Sequence, residues 1–203
     1  MRCLHFSSCD ENNEDRLARI RPVMDHFNTK MQSIYSPGKE LTLDESMVLW
    51  RRRLVFRQYI KNKRHKYGVK LYMLREPNGL VQKFTIYCGS TDVLSGVGHT
   101  SKVVQYLLQE RLHQAHSVYM DRYYNSYELA LDLLQKRTYC TGTLNIKRKN
   151  NPRVIQLAKL RPGESKSLFY NGVHIGNDKK KQKQNKEPLS STTIKFPNFS
   201  LDI

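Results

Sequence analysis

Two acidic residues lie inside a stretch that otherwise has the pattern of a β-strand. Leu41 and Leu43 alternate with polar residues within 40–50, and Asp44 and Glu45 follow them directly. Alternation of apolar and polar residues is typical of a half-buried strand. A carboxylate in such a strand costs free energy unless it is paired or holds a cation. Asp44 is therefore a candidate metal ligand, although a solvent-facing acid at a strand end explains the same pattern.

A run of basic residues that contains no acid begins directly after this stretch. It consists of Arg51, Arg52, Arg53, Arg57, Lys61, Lys63, Arg64, Lys66 and Lys70. Such a run is often only a solvated face, but Lys and Arg clustered without acids also bind the phosphates of DNA. A carboxylate that can bind a metal ion, next to a positively charged surface that can bind the substrate, is what a metal-dependent enzyme acting on a polyanion requires. This basic segment is the candidate DNA-binding surface.

The composition favours a nucleic-acid partner. The chain has 203 residues, 35 Lys and Arg against 18 Asp and Glu, and a formal net charge of +17. A charge this large points to nucleic acid or another anionic surface. No apolar run approaches the roughly 18 residues of a membrane span, so no membrane partner is expected. The four cysteines show neither metal-ligand nor disulfide spacing, which is typical of reduced thiols in the nucleus or cytosol.

Apolar periodicity predicts the elements that must position the acids. A helix is predicted over 20–34 and ends at Ser36-Pro37-Gly38. Strands are predicted over 40–50, 67–74, 81–88, 117–120 and 139–146, with helices over 101–112 and 126–136 that begin at the caps Ser101 and Ser126. Residues 167–175 are predicted to form one further strand. No packed structure is expected over 177–187, and the pattern of 188–203 assigns no element to that segment.

This order of elements predicts an α/β fold with a ribonuclease H-like mixed sheet. Three antiparallel strands are followed by alternating helices and strands, and the fourth strand then lies beside the first. Asp44 on the first strand and Asp121 at the end of the fourth come side by side in that arrangement. Two close carboxylates repel each other and are stabilised by Mg²⁺ or Mn²⁺, which prefer oxygen ligands. The two acids are therefore a candidate phosphoryl-transfer site.

Several segments closely resemble the PiggyBac transposase family and occur in the family's order. They are residues 20–25, 35–47 (YSPGKELTLDESM), 56–60, 66–70 and 118–126 (VYMDRYYNS), and the pair Gly142-Thr143. The resemblance extends from about Arg16 to Gly172 and implies a ribonuclease H-like fold. In that family three aspartates bind the metals for DNA strand cleavage and joining. Asp44 matches the first of these aspartates and Asp121 matches the second.

Departures from the family's pattern bear on activity. The third aspartate lies in a later block that this chain does not contain, and neither Asp178 nor Asp202 stands in a matching context. Arg122 follows Asp121 where the family usually has Asn, and a guanidinium there competes with metal for the carboxylate. The Cys-rich zinc segment and the N-terminal DNA-binding portion of the family are also missing. The chain is therefore expected to be a truncated member with an incomplete metal site.

The predicted domain organisation has three parts. Residues 1–17 form a polar lead-in, 18–176 form a partial transposase-like domain, and 177–203 form a basic, disordered low-complexity tail. The lysine run over 179–186 resembles a nuclear-localisation or phosphate-binding segment, and we expect a nuclear location. DNA is the expected partner, and a homodimer is compatible with this interpretation.

Other residues that could do chemistry are assigned to structure. The scattered histidines, among them His99, are expected to be satisfied structural residues, and Cys88 and Cys140 are expected in the core. Trp50 is expected to pack against the sheet rather than stack on a base. Of Tyr123 and Tyr124, one is expected to pack and the other to line the groove.

The resulting interpretation is a DNA-binding, PiggyBac-derived protein with little or no transposase activity. One alternative is a domesticated DNA- or chromatin-binding scaffold without catalysis, and another is an unstable gene fragment. A cooperative thermal transition together with salt-dependent DNA affinity distinguishes a binding module from a fragment.

Overall fold

The computed structural model describes residues 15–61, 65–90, 92–145, 148, 150–179 and 190–195. The chain divides into two compact units. The first consists of Met1–Gly38 and Thr42–Glu110, and the second of Lys39–Leu41 and Arg111–Ile203. Strand β1 (Glu40–Leu49) therefore begins in the second unit and continues in the first.

The first unit is built around an antiparallel sheet with β3 in its middle. Its elements are α1 (Arg21–Ile34), the larger part of β1, β2 (Gln58–Tyr59), β3 (Tyr67–Arg75), β4 (Val81–Ile86) and α2 (His99–Leu108), followed by a 3-10 turn (Gln109–Arg111). β3 pairs antiparallel with β1, with β2 and with β4. In the turn between β3 and β4, the Gly79 N–H donates to the Glu76 carbonyl at 2.9 Å.

Helix α1 is attached to the sheet by one asparagine and by apolar packing. The Asn28 amide donates to the Phe84 carbonyl and accepts from the Phe84 N–H, both at 3.0 Å, and thereby satisfies the backbone of β4. Beneath it lies a buried cluster formed by Leu17, Met24, Phe56, Ile86 and Cys88. The prediction that Cys88 is a core residue is confirmed, and burial raises the pKa of its thiol to about 11.

Glu76 is a largely buried acid that closes the β3–β4 turn against the end of α1. Its carboxylate accepts hydrogen bonds from the Gly38 N–H at 2.7 Å, the Tyr35 hydroxyl at 2.8 Å and the Asn78 amide at 3.2 Å. The Gly38 bond first, and the Tyr35 bond next, hold the pKa of Glu76 below its ordinary value of 4.5.

The lowered pKa of Glu76 predicts how the first unit responds to acid. A carboxyl whose folded-state pKa is lowered stabilises the fold above its unfolded pKa, and this stability is lost as the pH falls through the folded value. We expect the free energy of unfolding to fall more steeply below pH 4.5 in the parent chain than in Glu76→Gln. Urea titrations between neutral pH and about pH 3 measure the difference. The same decrease in the free energy of unfolding below pH 4.5 in both proteins would contradict this prediction.

The second unit contains a parallel pair of strands joined by a helix, followed by antiparallel strands. Its elements are β5 (Ser117–Met120), α3 (Tyr127–Gln135), β6 (Tyr139–Thr143), α4 (Arg153–Gln156), β7 (Ser165–Tyr170), β8 (Val173–Lys179) and β9 (Ser190–Lys195). β5 and β6 are parallel, and β9, β8 and β7 follow in antiparallel order. The start of β1 lies beside β5, because the Ser117 N–H donates to the Lys39 carbonyl at 2.8 Å.

Two predicted helix caps have different outcomes. The Ser126 hydroxyl accepts from the Leu129 N–H at 3.2 Å, so the predicted cap of α3 is confirmed. The prediction that Ser101 caps the other helix is wrong, because α2 already begins at His99 and Ser101 lies inside it. Gly98 precedes that helix with φ 74°, a backbone conformation that glycine adopts without a steric penalty.

The C-terminal region contains more strands than the sequence pattern indicated. The prediction of one strand over 167–175 is wrong, because β7 and β8 form a hairpin that turns at Asn171-Gly172. Both turn residues have positive φ, 48° and 79°, as a two-residue hairpin turn requires.

The prediction of no packed structure over 177–187 is wrong for residues 177–179, and residues 190–195, to which the sequence pattern assigns no element, form β9. β8 includes Asn177, which is buried, and β9 pairs with both β6 and β8. Ile194 is fully buried and gives β9 its place in the sheet. The remaining tail residues, 180–189 and 196–203, and lead-in residues 1–14 lie outside the described ranges. No helix in the described part of the chain is long and apolar enough to cross a membrane.

Candidate metal ligands and nucleic-acid interface

Asp44 lies in the first unit, in the middle of β1, and its carboxylate forms an ion pair with an arginine. Its Oδ2 is 3.0 Å from Nη2 of Arg75, and its Oδ1 accepts from the Glu45 N–H at 2.8 Å. Arg75 comes from β3, where it pairs with Thr42, two residues from Asp44 along the neighbouring strand. Sequence reasoning missed this partner, because the contact depends on the register between strands 31 residues apart. A cation at Asp44 must compete with this guanidinium.

Asp121 lies in the second unit, directly after β5, and shapes the turn that follows. Its Oδ1 accepts from the Tyr123 N–H at 2.8 Å, the local hydrogen bond that aspartate often makes in turns. Its carbonyl accepts from the N–H groups of Tyr124 and Asn125, both at 3.3 Å. Tyr124 is fully buried, so the expectation that one of the two tyrosines packs is confirmed, whereas Tyr123 is exposed.

The end of β5 is held in place by two neighbours of its last residue, Met120. The buried Asn125 amide donates to the Met120 carbonyl at 2.8 Å and to the Thr143 carbonyl at 3.2 Å. Gly142 of β6 pairs with Met120, and a Cβ at Gly142 would lie only 1.8 Å from the Met120 carbonyl oxygen. The position of Asp121 therefore depends on a close approach of two backbones that only glycine permits.

Arg148 adds a positive charge near Asp121. Its Nη2 donates to the Tyr123 carbonyl. Burial lowers the pKa of this guanidinium, while the nearby Tyr123 and Asp121 raise it. Arg122, which the sequence suggested as the competitor for Asp121, is exposed, and its competition with metal stays a prediction.

No group of three or more His, Cys, Asp or Glu side chains that could hold a metal ion occurs among the described residues. Asp44 belongs to the first unit and Asp121 to the second, and their joint use as metal ligands stays a prediction. His99 has structural partners, as expected. Its Nδ1 donates to the Leu94 carbonyl at 2.7 Å, and its Nε2 therefore accepts from the Tyr72 hydroxyl at 2.8 Å in the neutral ring.

The exposed part of the basic segment lies in the first unit. Its exposed cationic side chains are Arg51, Arg52, Arg53, Arg57, Lys61 and Lys66. Lys63 and Arg64 lie outside the described residues. Several cations on one loop without an acid among them can bind successive phosphates of a polynucleotide.

Two members of the basic segment have structural contacts. Arg57 Nη1 donates to the carbonyl of Arg51 at 2.9 Å and to that of Arg52 at 3.3 Å. The guanidinium carbon of Arg57 also lies 5.3 Å from the centre of the Tyr67 ring. Lys70 Nζ lies 4.7 Å from the centre of the Tyr72 ring. Arg57 thus fixes the backbone that presents the exposed arginines.

Trp50 does not pack in the way the sequence suggested. Its side chain stands directly after β1 and is 43% exposed, so the prediction of a packed residue is wrong. The strand ends one residue earlier than predicted, and Val48 and Leu49 at its end are also exposed. An exposed tryptophan next to a basic loop is available to a ligand.

Comparison with known proteins identifies a transposase family and a solved structure of similar fold. A model of the family described as Transposase IS4 matches residues 1–193. The cryo-EM structure of a piggyBac transposase synaptic complex with hairpin DNA superposes with a TM-score of 0.79 at 26% sequence identity. The match covers 89% of this chain and 38% of that transposase chain. The predicted ribonuclease H-like α/β fold and the resemblance to PiggyBac transposases are confirmed.

Proposed function

Because this chain belongs to the Transposase IS4 family, we propose that it binds DNA through the basic segment of its first unit. The observation that carries the proposal is the exposure of Arg51, Arg52 and Arg53 on a backbone that Arg57 fixes through two hydrogen bonds. Fixing the loop before binding lowers the ordering entropy that a flexible loop would lose on the DNA. The piggyBac transposase that resembles this chain was captured with hairpin DNA, which supports the same class of ligand.

Binding of this kind has a salt signature. Each phosphate neutralised by Lys or Arg releases condensed counterions, so the logarithm of affinity falls with the logarithm of salt concentration by about 0.9 per contact. Fluorescence anisotropy with duplexes of unrelated sequence, at several salt concentrations, tests the proposal. We expect a steep salt dependence and little sequence preference. A weak or absent salt dependence would contradict binding through this segment.

We further propose that Asp44 and Asp121 are what remains of a metal site for phosphoryl transfer. Carboxylate oxygens fit Mg²⁺ or Mn²⁺, and Asp44 is half-exposed, but Arg75 occupies one of its oxygens. If bound there, such an ion would polarise a phosphoryl oxygen and lower the pKa of a bound nucleophile. Each carboxylate alone supplies fewer ligands than two metal ions need. The chain of 203 residues is therefore proposed to bind DNA with little or no strand transfer.

A strand-transfer assay tests this absence of activity. The 203-residue chain is incubated with terminal inverted repeat DNA and Mg²⁺ or Mn²⁺, and the products are separated on a denaturing gel. We expect only unreacted DNA. Hairpin or joined products that disappear in Asp44→Ala would contradict the proposal and show a working metal site.

The ion pair between Arg75 and Asp44 makes a separate prediction for metal binding. A half-exposed ion pair contributes about 1 kcal/mol at most, so its removal should strengthen Mn²⁺ binding up to about fivefold. We expect this gain in Arg75→Gln and no gain in Arg75→Lys, which keeps the charge. Titration of free Mn²⁺ by electron paramagnetic resonance measures it. Equal affinity in the parent and both variants would show that Arg75 does not compete.

One observation favours a second candidate function, a non-catalytic DNA- or chromatin-binding scaffold. The Asp44 carboxylate makes an ion pair and a backbone hydrogen bond, which stabilise it without a metal. A nuclear location fits either function and is part of the proposal. If the chain binds DNA with the same affinity in EDTA and in Mg²⁺, the result would favour the scaffold function.

A further inference from the structure

Strand β7 (Ser165–Tyr170) forms one edge of the sheet in the second unit. It pairs antiparallel with β8, and no other strand pairs with it in the part of the chain that the structure describes. In an antiparallel strand every second N–H and C=O faces away from the partner strand. The outer edge of β7 therefore presents backbone donors and acceptors to an additional strand. Side chains do not cover this edge, because five of the six residues are exposed and one is half-buried.

The pairing with β8 shows which side chains of β7 share a face of the sheet. Residues directly opposite each other in an antiparallel pair point to the same face. Leu168 lies opposite Ile175, and Tyr170 lies opposite Val173. Both β8 partners are fully buried, so Leu168 and Tyr170 belong to the face that packs in the second unit. The Tyr170 ring confirms this, since it stacks on Tyr127 of α3 with centroids 6.1 Å apart.

Apolar surface remains exposed around this edge. Phe169, on the opposite face of β7, is 61% exposed, and Tyr170 is 52% exposed despite its contact with α3. Helix α4 contacts β7, and in this helix and at its end Val154 and Leu157 are 54% and 76% exposed. A strand added to β7 would bury part of this surface in addition to forming main-chain hydrogen bonds.

The charge around β7 is positive. Four exposed cationic side chains lie within 153–170, namely Arg153, Lys159, Arg161 and Lys166. Glu164 is the acid in that stretch, and its Oε2 accepts from the Arg161 N–H at 2.7 Å. Lys166 lies within β7 itself, where an acid directly opposite stabilises strand pairing and a second cation opposes it. The complement of this edge is an extended segment that combines apolar and acidic residues.

We propose that β7 is a docking edge for an extended, acidic segment of a protein partner, which adds to the sheet as an antiparallel strand. Alternation then places apolar residues of the partner opposite Tyr170 and Leu168 and an acid opposite Lys166. A polynucleotide complements the cations but offers no backbone N–H and C=O ladder to the strand edge. This docking is independent of the DNA binding proposed for the basic segment of the first unit.

A labelled peptide tests the charge complementarity. The probe is fluorescein-labelled Gly-Ser-Val-Phe-Val-Thr-Glu-Asp-Ser-Gly, whose valines and glutamate are designed to lie opposite Tyr170, Leu168 and Lys166. Anisotropy is measured with the full chain. We expect Lys166→Glu to weaken binding about tenfold, because it replaces an attraction by a repulsion. The same variant should bind a peptide with lysines in place of the two acids more tightly than the parent chain does.

Lys30→Glu is the matched control, because Lys30 is an exposed lysine of the first unit and the change of charge is the same. It should leave peptide affinity unchanged. Equal loss in both variants shows attraction by net charge alone and overturns the inference. A DNA duplex that loses affinity in Lys166→Glu but not in Lys30→Glu assigns the edge to nucleic acid and also overturns it.

Backbone methylation of the peptide tests strand addition separately. Two peptides carry N-methyl groups at alternate positions, one on the odd and one on the even residues. Only every second N–H of an added strand faces β7, so one peptide should lose binding and the other should keep it. Equal binding of both peptides overturns the inference. Absence of peptide binding together with a concentration-dependent dimer that Lys166→Glu disrupts assigns the edge to a second copy of the chain and overturns it too. If Lys166→Glu does not fold, the methylated peptides and the parent chain decide the outcome.

Discussion

Replacement of Gly142 by alanine is expected to destabilise the second unit by about 3 kcal/mol. The new Cβ would lie 1.8 Å from the Met120 carbonyl oxygen and 2.5 Å from Nδ2 of Asn125. Gly142 also has φ 156°, a conformation that residues with a Cβ rarely adopt. Because the oxygen belongs to a backbone that already pairs with β6, the two strands must separate locally to make room.

The loss of stability should be concentrated in β5 and β6, which position Asp121. Separation of the strands breaks the contact between Met120 and β6 and displaces the Asn125 amide that donates to both strands. Hydrogen exchange of the β5 and β6 amides measures the local free energy of opening. Gly176→Ala is the control within the same unit, since the nearest atom to its Cβ lies 3.4 Å away. Similar exchange in both variants would contradict the assigned role of Gly142.

Replacement of Arg51, Arg52 and Arg53 together by alanine is expected to lower duplex affinity about a hundredfold at about 0.1 M salt. Each arginine that contacts a phosphate contributes through counterion release, so the slope of affinity against salt should fall by about 2.7 as well. The side chains are exposed, so the fold should remain intact. Anisotropy titrations at several salt concentrations measure both quantities.

The control for this variant removes the same charge from elsewhere. Arg19, Lys30 and Lys159 are exposed and lie outside the basic segment. Their combined replacement by alanine lowers the net charge by the same amount. If both triple variants lose the same affinity, binding depends on net charge rather than on a defined surface, and the assignment to the basic segment is wrong.

The elements with clear periodicity were predictable from the sequence. The strand around Asp44, the strand before Asp121 and the helix capped by Ser126 occur where the pattern placed them. Their apolar residues alternate or repeat at helical spacing, and burial of those residues decides the structure. The candidate ligands Asp44 and Asp121 could therefore be placed on their elements.

The contacts of the site could not be predicted in the same way. The pairing of Arg75 with Asp44 follows from strand register, and the approach of Gly142 to Met120 follows from the pairing of β5 with β6. Trp50 is exposed together with Val48 and Leu49, the last two residues of β1. Each of these depends on which segments pair in space, which local periodicity does not encode.

The C-terminal strands were missed for two different reasons. The Asn171-Gly172 pair is a strong hairpin signal, but it falls within a run that reads as one continuous strand. β9 has one buried apolar residue in its described part, Ile194, and otherwise serine, threonine and lysine. Its pairing on both sides, with β6 and β8, makes it a strand despite that composition.

Hydrogen–deuterium exchange of the 203-residue chain with and without DNA tests the central claim most directly. A duplex at low salt should protect the loop after β1, together with β2 and the start of β3, because the basic segment lies there. The β7–β8 hairpin of the second unit should exchange at the same rate in both samples. Protection of that hairpin with no change over the loop after β1 would contradict DNA binding through Arg51, Arg52 and Arg53.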